Sequence, residues 1–261
     1  MDGLELWIGR LPQVVLIALR IGALLAVAPV FGNKVIPPAV RVWTAVLFAV
    51  LLAPVARGAV PAGDVLAFVI AAFREVVVGV LMGFAVMVVL SAAQFGGRLA
   101  GSQIGFGFAS TIDPLFDAQE VILDRLQELL ALTLFVTMGA HRWVLAALAR
   151  SYEVVPLGQA QFPPGVANLF LLLFKNALVI GVQIGAPVVV SVVMAELAMA
   201  LLSRSVPQFN LFSVGFGIRI VIGILVAALV MPATAMLLQR SIGAIPGAMT
   251  GIVAEMQPQA R

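Results

Sequence analysis

The apolar run from Val166 to Leu202 is longer than a single membrane crossing, and this constrains the chain more than any other feature. A helix rises about 1.5 Å per residue, so this run would be about 55 Å long. The hydrocarbon core of a bilayer is only roughly 30 Å thick. We therefore expect either that Pro187 kinks this helix or that the helix leaves the bilayer.

Other apolar segments have lengths typical of helices rather than of the short alternating strands of a membrane β-barrel. They lie at about residues 11–31, 39–56, 65–95, 121–138 and 211–239. Of all residues, 62% are hydrophobic and 10% are charged, against roughly 25% charge in a soluble domain. The sequence predicts an all-α, membrane-associated protein of long, kinked helices arranged as hairpins.

The sequence offers little material for catalysis. It has no cysteine and one histidine, His141, which follows a predicted helix end. Neither a nucleophile elbow nor a phosphate-binding glycine loop is present, and the basic residues are scattered rather than clustered as nucleic-acid binding requires. We expect a non-enzymatic protein with no cofactor, no metal and no nucleic-acid partner. The N-terminus lacks the basic stretch of a secretory signal, so we expect it to remain in the mature protein.

Ionisable side chains interrupt the apolar runs, and each would cost a few kcal/mol or more if it faced lipid. They are Arg20, Arg74, Glu75, Lys175, Glu196 and Arg219. We predict that Arg74 and Glu75 neutralise each other or charges on partner chains. We predict that Glu196 pairs with Arg204 or with a neighbouring subunit. An alternative remains open, in which Glu75 and Glu196 relay protons through a coupled carrier.

Glycines recur at four-residue spacing, which lets helix backbones approach closely. The sets are Gly79/Gly83, Gly97/Gly101/Gly105, Gly181/Gly185 and Gly243/Gly247/Gly251. We predict ordinary close helix packing at these positions.

The most charged stretch, DAQEVILDRLQELL from Asp117 to Leu130, is predicted to be a helix. Its acidic residues at i and i+4 are like-charged, which is mildly unfavourable unless a cation lies nearby. Either this acidic face meets a basic partner or a water-filled passage, or it is simply a solvated helix face.

Two segments break the apolar pattern in different ways. The stretch GSQIGFGFASTIDP, Gly101 to Pro114, alternates glycine with phenylalanine and is apolar but flexible, so it needs shelter from water. The stretch SRSVPQFNLFSVGF begins at Ser203 and separates two long apolar helices. Residues 166–239 are therefore predicted to form a helical hairpin with a polar tip.

Four stretches of the chain resemble the FliR family of flagellar biosynthesis proteins. They are RIGALLAVAPVFGNKVIPPAVRV (20–42), REVVVGVLMGFAVMVVLSAAQFGGRLAGSQIGFGFASTIDP (74–114), GAHRWVLAALARSYEVVPLG (139–158) and SRSVPQFNLFSVGFGI (203–218). The resemblance covers nearly the whole chain in order. Injectisome proteins of virulence secretion are related to this family, and the sequence favours the flagellar branch.

The resemblance implies a subunit of a type III secretion export gate in the bacterial inner membrane, at the flagellar basal body. Such a subunit joins FliP and FliQ homologues in a closed hetero-oligomeric helical assembly, through which unfolded substrates leave the cytoplasm. An FlhB-type switch protein and membrane lipid are further expected partners. The chain would be one gate domain (1–261), with residues 1–162 similar to FliP and residues 163–261 similar to the FliQ hairpin.

The resemblance also implies roles for individual residues. The plug that closes the pore would be formed by Gly105, Phe106, Gly107, Phe108, Ala109, Ser110, Thr111, Ile112, Asp113 and Pro114. Assembly or charge pairing would involve Arg20, Arg74, Glu75, Glu196, Arg204 and Arg219. The hairpin tip would be Pro207, Gln208 and Phe209. A rival interpretation is a purely structural nucleus that templates the gate without sealing it.

Overall fold

The computed structural model describes residues 2–32, 36–54, 56, 64–105, 122–205 and 211–258. Throughout these ranges the regular secondary structure is α-helical, which confirms the predicted all-α class. The helices are α1 (Asp2–Val27), α2 (Pro38–Leu52), α3 (Val65–Ile104), α4 (Ile122–Thr137), α5 (Ala140–Val154), α6 (Pro164–Ser205), α7 (Leu211–Gly243) and α8 (Ile245–Glu255).

Four stretches are long and apolar enough to cross a membrane. They are Arg10–Val27, Val65–Ile104, Pro164–Ser203 and Gly215–Glu255. Helices α4 and α5 are bent by 66° at the break between them and would add a fifth span if they act as one. By length and composition, the chain is a multi-pass membrane protein.

Helix α6 continues through Pro187 over 42 residues, which corresponds to about 63 Å. Proline lacks the N–H that would bond to the preceding turn. Ser191 lies one turn after Pro187, and its hydroxyl donates a 2.7 Å hydrogen bond to the Pro187 carbonyl. The unbroken helix is longer than a hydrocarbon core of roughly 30 Å, and the two expectations for it, a kink at Pro187 or an exit from the bilayer, stay predictions.

Contacts divide the chain into two compact units, each built from separated segments. The first unit comprises residues 1–88, 139–174 and 243–261, and the second comprises residues 89–138 and 175–242. The predicted boundary between the FliP-like and FliQ-like parts falls after residue 162, and each unit contains residues from both sides of it. The division into a FliP-like and a FliQ-like part stays a prediction from the resemblance.

In the first unit, α1 packs against α2 and α3 at positions without bulky side chains. A Cβ at Gly79 would stand 2.2 Å from the Arg20 carbonyl oxygen, and one at Gly83 would stand 2.8 Å from that of Leu24. The Gln13 amide joins α1 to the end of α2, since it donates 3.1 Å hydrogen bonds to the carbonyls of Ala53 and Ala56. The predicted close packing at Gly79 and Gly83 is confirmed.

In the second unit, α6 meets α3 at glycines on both helices. A Cβ at Gly96 would stand 2.7 Å from the Ile184 side chain, and one at Gly181 would stand 2.5 Å from the Phe95 ring. The apolar core beside this contact consists of Ala100, Ile104, Leu123, Val188 and Val192, and residues of α7 pack against it. The prediction of a hairpin over residues 166–239 is confirmed in its two helices.

The fourth glycine set, Gly243/Gly247/Gly251, behaves differently from the sets in α3 and α6. No atom lies within 4 Å of where a Cβ would stand at Gly243, Gly247 or Gly251, among the residues whose positions are described. The prediction of close packing is therefore wrong for this set within the chain itself. Spacing alone could not distinguish the two cases, because it specifies one helix face but not what lies opposite.

Candidate functional site

A buried ion pair joins α1 to α3 in the first unit. The Arg20 Nε lies 2.6 Å from Oε2 of Glu75, and its Nη2 donates to Oε1 over 3.1 Å. Both side chains are 0% exposed. A planar guanidinium that binds both carboxylate oxygens fixes the relative position of the two helices more tightly than a single contact would.

The remaining hydrogen-bonding capacity of this pair is satisfied by the segment that ends α5 and follows it. Arg20 donates to the Ser151 hydroxyl over 3.0 Å and to the Val155 carbonyl over 3.2 Å. The Gly158 N–H donates to Oε1 of Glu75 over 2.8 Å. The buried charges therefore have protein partners in place of water, as burial of an ion pair requires.

Tyr152 covers the same cluster from α5. The guanidinium carbon of Arg20 lies 4.3 Å from the centre of the Tyr152 ring, a cation–π contact. The Tyr152 hydroxyl donates to the Ile17 carbonyl over 3.2 Å. Together, α1, α3 and α5 converge on one charged centre inside an otherwise apolar unit, and we call Arg20, Glu75, Ser151 and Tyr152 the buried cluster.

The prediction that Arg74 and Glu75 neutralise each other is wrong. Neighbouring residues on a helix do not face one another, because each residue rotates about 100° around the axis. Arg74 instead donates a 2.9 Å hydrogen bond to the Gly158 carbonyl. Gly158 thus serves both residues, and its φ of 72° lies in the left-handed region that favours glycine.

The second unit has its own ion pair, between α6 and α7. The Arg219 Nε lies 2.7 Å from Oε1 of Glu196, and the side chains are 41% and 29% exposed. The contact lacks the geometry of a hydrogen bond. The facing helix brings Arg219 to the Glu196 carboxylate, and the predicted Glu196–Arg204 pair stays a prediction because the Arg204 side chain lies outside the described part. A cavity of about 300 Å³ adjoins the pair and is also lined by Met199 and Phe216.

Residues 117–121 of the charged segment lie outside the described part of the chain. Its described helix, α4, begins at Ile122. Arg98 approaches Asp124 at 3.4 Å, and Arg125 donates to Glu128 over 2.6 Å. These cations relieve the like-charge repulsion between the two acids. The hypothesis that this acidic face meets a basic partner or a water-filled passage stays a prediction.

The predicted plug is described only at its first residue. Gly105 has a φ of 98°, and its N–H donates to the Gly101 carbonyl over 3.2 Å. A Cβ there would stand 3.1 Å from the Phe216 ring. Residues 106–114 lie outside the described part of the chain, as do Pro207, Gln208, Phe209 and the Arg204 side chain, so their roles stay predictions.

Sequence reasoning missed Ser151, Tyr152 and Gly158 as partners of the buried charges. The stretch SYEVVPLG was part of the resemblance, but its turn residues indicated only a helix end. An intramembrane Arg and Glu on separate helices could have suggested a pair, yet nothing local indicates which segment completes it. Among the residues described, no group of three or more His, Asp or Glu could hold a metal ion.

Comparisons with known proteins assign this multi-pass helical chain to a family. The family model described as bacterial export proteins, family 1, matches residues 11–245. The flagellar biosynthetic protein FliR of Escherichia coli (strain K12) is 28% identical over 259 residues, 97% of each chain. FliR of Pectobacterium carotovorum is 30% identical over 220 residues, 82% of each chain.

FliR of Bacillus subtilis (strain 168) is similar as well, at 29% identity over 219 residues, 81% of this chain and 83% of the relative. The chain belongs to the FliR family of bacterial export proteins. The predicted family is thereby confirmed, and the chain is a component of the flagellar export apparatus.

Proposed function

We propose that this chain is a non-enzymatic subunit of the flagellar type III export gate in the bacterial inner membrane, at the basal body. With FliP and FliQ homologues it encloses the path of unfolded substrates, and its segment from Gly105 to Pro114 plugs that path. An FlhB-type switch protein and membrane lipid complete its surroundings. The division into residues 1–162 and 163–261 then matches the two kinds of neighbour.

One observation carries the partnership, namely the length of the exposed apolar face of α6. Large exposed side chains run along it from Leu171 to Leu202, which is about 47 Å of helix. Even at a tilt of about 40°, at the upper end of the usual range, this face would span about 36 Å of depth. That exceeds a hydrocarbon core of roughly 30 Å. Lipid alone would leave part of this face uncovered. The excess length supports the proposal that other protein subunits cover it.

The physical character of the plug segment supports its proposed role. The segment begins at Gly105, whose left-handed backbone conformation ends α3. The residues that follow, Phe106 and Phe108 with glycine between them, combine apolar bulk with backbone freedom. Apolar side chains exclude water and ions from a narrow pore, and glycines let the segment move aside for a substrate.

The rival carrier is disfavoured by the environment of Glu75. A relay carboxylate must exchange its proton with water or with another relay group. Glu75 is 0% exposed and accepts two contacts from Arg20 and one from the Gly158 N–H. A buried carboxylate whose partners are all supplied by the protein suits a structural role better than a transporting one.

The test is ion leakage across the inner membrane of cells that carry the assembled gate. Deletion of residues 105–110 is compared with the double substitution Phe106→Leu and Phe108→Leu, which keeps apolar bulk in the segment. We expect the deletion to raise leakage while FliP and FliQ homologues still copurify with the chain, and the double substitution to keep the seal.

Unchanged leakage in a verified assembly would refute the plug and favour a structural nucleus. Failure of the native chain to copurify with FliP and FliQ homologues would refute the gate itself.

A further inference from the structure

Helix α8 turns its large side chains inward and presents small residues outward. Ile245, Met249, Ile252 and Val253 are buried. The exposed positions are Gly243 and Ala244 just before the helix and Gly247, Thr250, Ala254 and Glu255 on it, and Gly251 is half-buried. This differs from the exposed faces of α2 and α6, which carry residues such as Trp43 and Leu201. The match to the family model ends at residue 245, where this helix begins.

A groove runs between this face and α5. It encloses about 320 Å³, and its lining is Trp143, Ala146, Ala147 and Arg150 from α5 with Gly243, Pro246 and Thr250 opposite. Most of the lining residues are small or apolar, and Trp143 among them is 38% exposed. Small residues allow another helix backbone to approach closely.

Arg150 gives the groove a charge that the first unit does not neutralise. Arg20 binds Glu75, and Arg74 binds the Gly158 carbonyl. Arg150, in contrast, has no hydrogen bond or ion pair to any residue in the described ranges. A guanidinium in an apolar groove of a membrane protein favours an anionic group opposite it, and a carboxylate fits its fork of donors.

We propose that this groove is the docking site for one helix of another subunit, whose Asp or Glu side chain pairs with Arg150. Small residues at four-residue spacing allow two helix backbones to come close, which is how membrane helices gain contact energy. A lipid tail gains nothing from that spacing. A second copy of the chain is disfavoured, because two identical grooves would bring Arg150 against Arg150 and their lining holds no acid.

The proposal rests on the proposed function, which supplies the partner subunits, but it concerns a surface remote in sequence from the plug. Gly247→Leu is the informative variant. A Cβ at this position meets no described atom within 4 Å, and leucine is a better helix former than glycine. The variant chain should therefore fold, whereas a helix docked on Gly247 would be displaced.

The first measurement places a photo-cross-linking amino acid at position 247 of the full chain in cells that assemble the export apparatus. We expect an adduct with a membrane segment of another export subunit, and we expect the cross-linked segment to contain an Asp or Glu. Adducts only with lipid, only with a second copy, or with nothing would each overturn the proposal.

The second measurement is recovery of the assembled complex. Gly247→Leu should lower recovery about tenfold, since overfilled interfaces are strongly destabilised. Gly217→Leu, at a glycine of α7 that lies outside the groove and where a Cβ likewise meets no described atom within 4 Å, should leave recovery unchanged. Arg150→Glu should also lower recovery, and a Lys in place of the cross-linked acid should restore it.

The outcomes separate this proposal from the proposed function. An intact complex with Gly247→Leu would refute the groove alone and leave the gate role standing. Absence of any export subunit from complexes of the native chain would refute the proposed function.

Discussion

The two compact units of this chain treat their buried charges in opposite ways. In the first unit, Arg20 and Glu75 are both 0% exposed and are enclosed by hydrogen bonds from within the unit. In the second unit, Arg219 is 41% exposed and Glu196 is 29% exposed, and their contact is a bare ion pair. Arg98, which approaches Asp124, is 66% exposed.

This difference separates charges that organise the chain from charges that lie at its surface. A fully enclosed pair is costly to form, but it is strongly destabilising to break, because one charge is then left buried alone. A half-exposed pair is screened by its surroundings and adds little. We therefore expect the same kind of substitution to have large effects in the first unit and small effects in the second.

The largest effect is expected from Glu75→Ala. It leaves the Arg20 guanidinium buried without its carboxylate, which should lower the free energy of unfolding by about 3–5 kcal/mol. Thermal unfolding of the assembled complex in detergent measures this. The paired substitution Arg20→Met with Glu75→Leu removes both charges and should recover part of the loss. An unchanged unfolding temperature with Glu75→Ala would show that the cluster does not organise the unit.

A smaller effect is expected from Gly79→Ala. Its Cβ would collide with the Arg20 carbonyl and separate α1 from α3, at a cost of about 1–3 kcal/mol. Gly217→Ala in α7 is the matched control, because no described atom lies within 4 Å of that Cβ. The control should gain up to about 1 kcal/mol from helix propensity. Equal effects of the two substitutions on unfolding would contradict close packing at Gly79.

Glu196→Gln should cost only about 0.2–1 kcal/mol, the range of exposed ion pairs. We expect assembly and export of flagellar substrates to continue, as measured by secreted protein from cells with the variant chain. This prediction also sharpens the choice against the proton-coupled carrier. Loss of export from an intact complex would restore Glu196 as a relay group and refute the passive gate.

The smallest effect is expected from Arg98→Lys, within about 0.5 kcal/mol, because a cation stays beside the Asp124 carboxylate, whose side chain is 7% exposed. The Arg98 side chain is largely exposed, and its 3.4 Å approach to Asp124 is long for an ion-paired hydrogen bond. Unfolding temperature again provides the measurement. A loss as large as that of Glu75→Ala would mean that the units do not differ in the way proposed here.

Helix existence was predictable because hydrophobicity and turn residues are local properties. The apolar run 166–202 corresponds to α6 at Pro164–Ser205, and the run 211–239 corresponds to α7 at Leu211–Gly243. Pro187 lies inside the unbroken helix α6, and the expectation that it kinks the helix or that the helix leaves the bilayer stays a prediction. The family was also recognisable from motifs that stand in order along the chain.

Partner choice for each charge was not predictable from sequence neighbours. Arg74 and Glu75 are adjacent, yet Arg74 bonds to the Gly158 carbonyl and Glu75 pairs with Arg20 on α1. Glu196 meets Arg219 on another helix, α7. The same limit applies to the glycines. Gly79 touches α1, whereas Gly247 faces open space, although both belong to four-residue repeats.

The sequence by itself determined that this is an all-helical membrane protein of the FliR family, because apolar length, composition and ordered motifs are written along the chain. Only the tertiary structure decided that Arg20, Glu75, Ser151 and Tyr152 form one enclosed cluster, and that the face of α8 stays open. The physical reason is that charge pairing and close packing depend on distances of a few ångströms between helices far apart in sequence, and no local pattern encodes those distances.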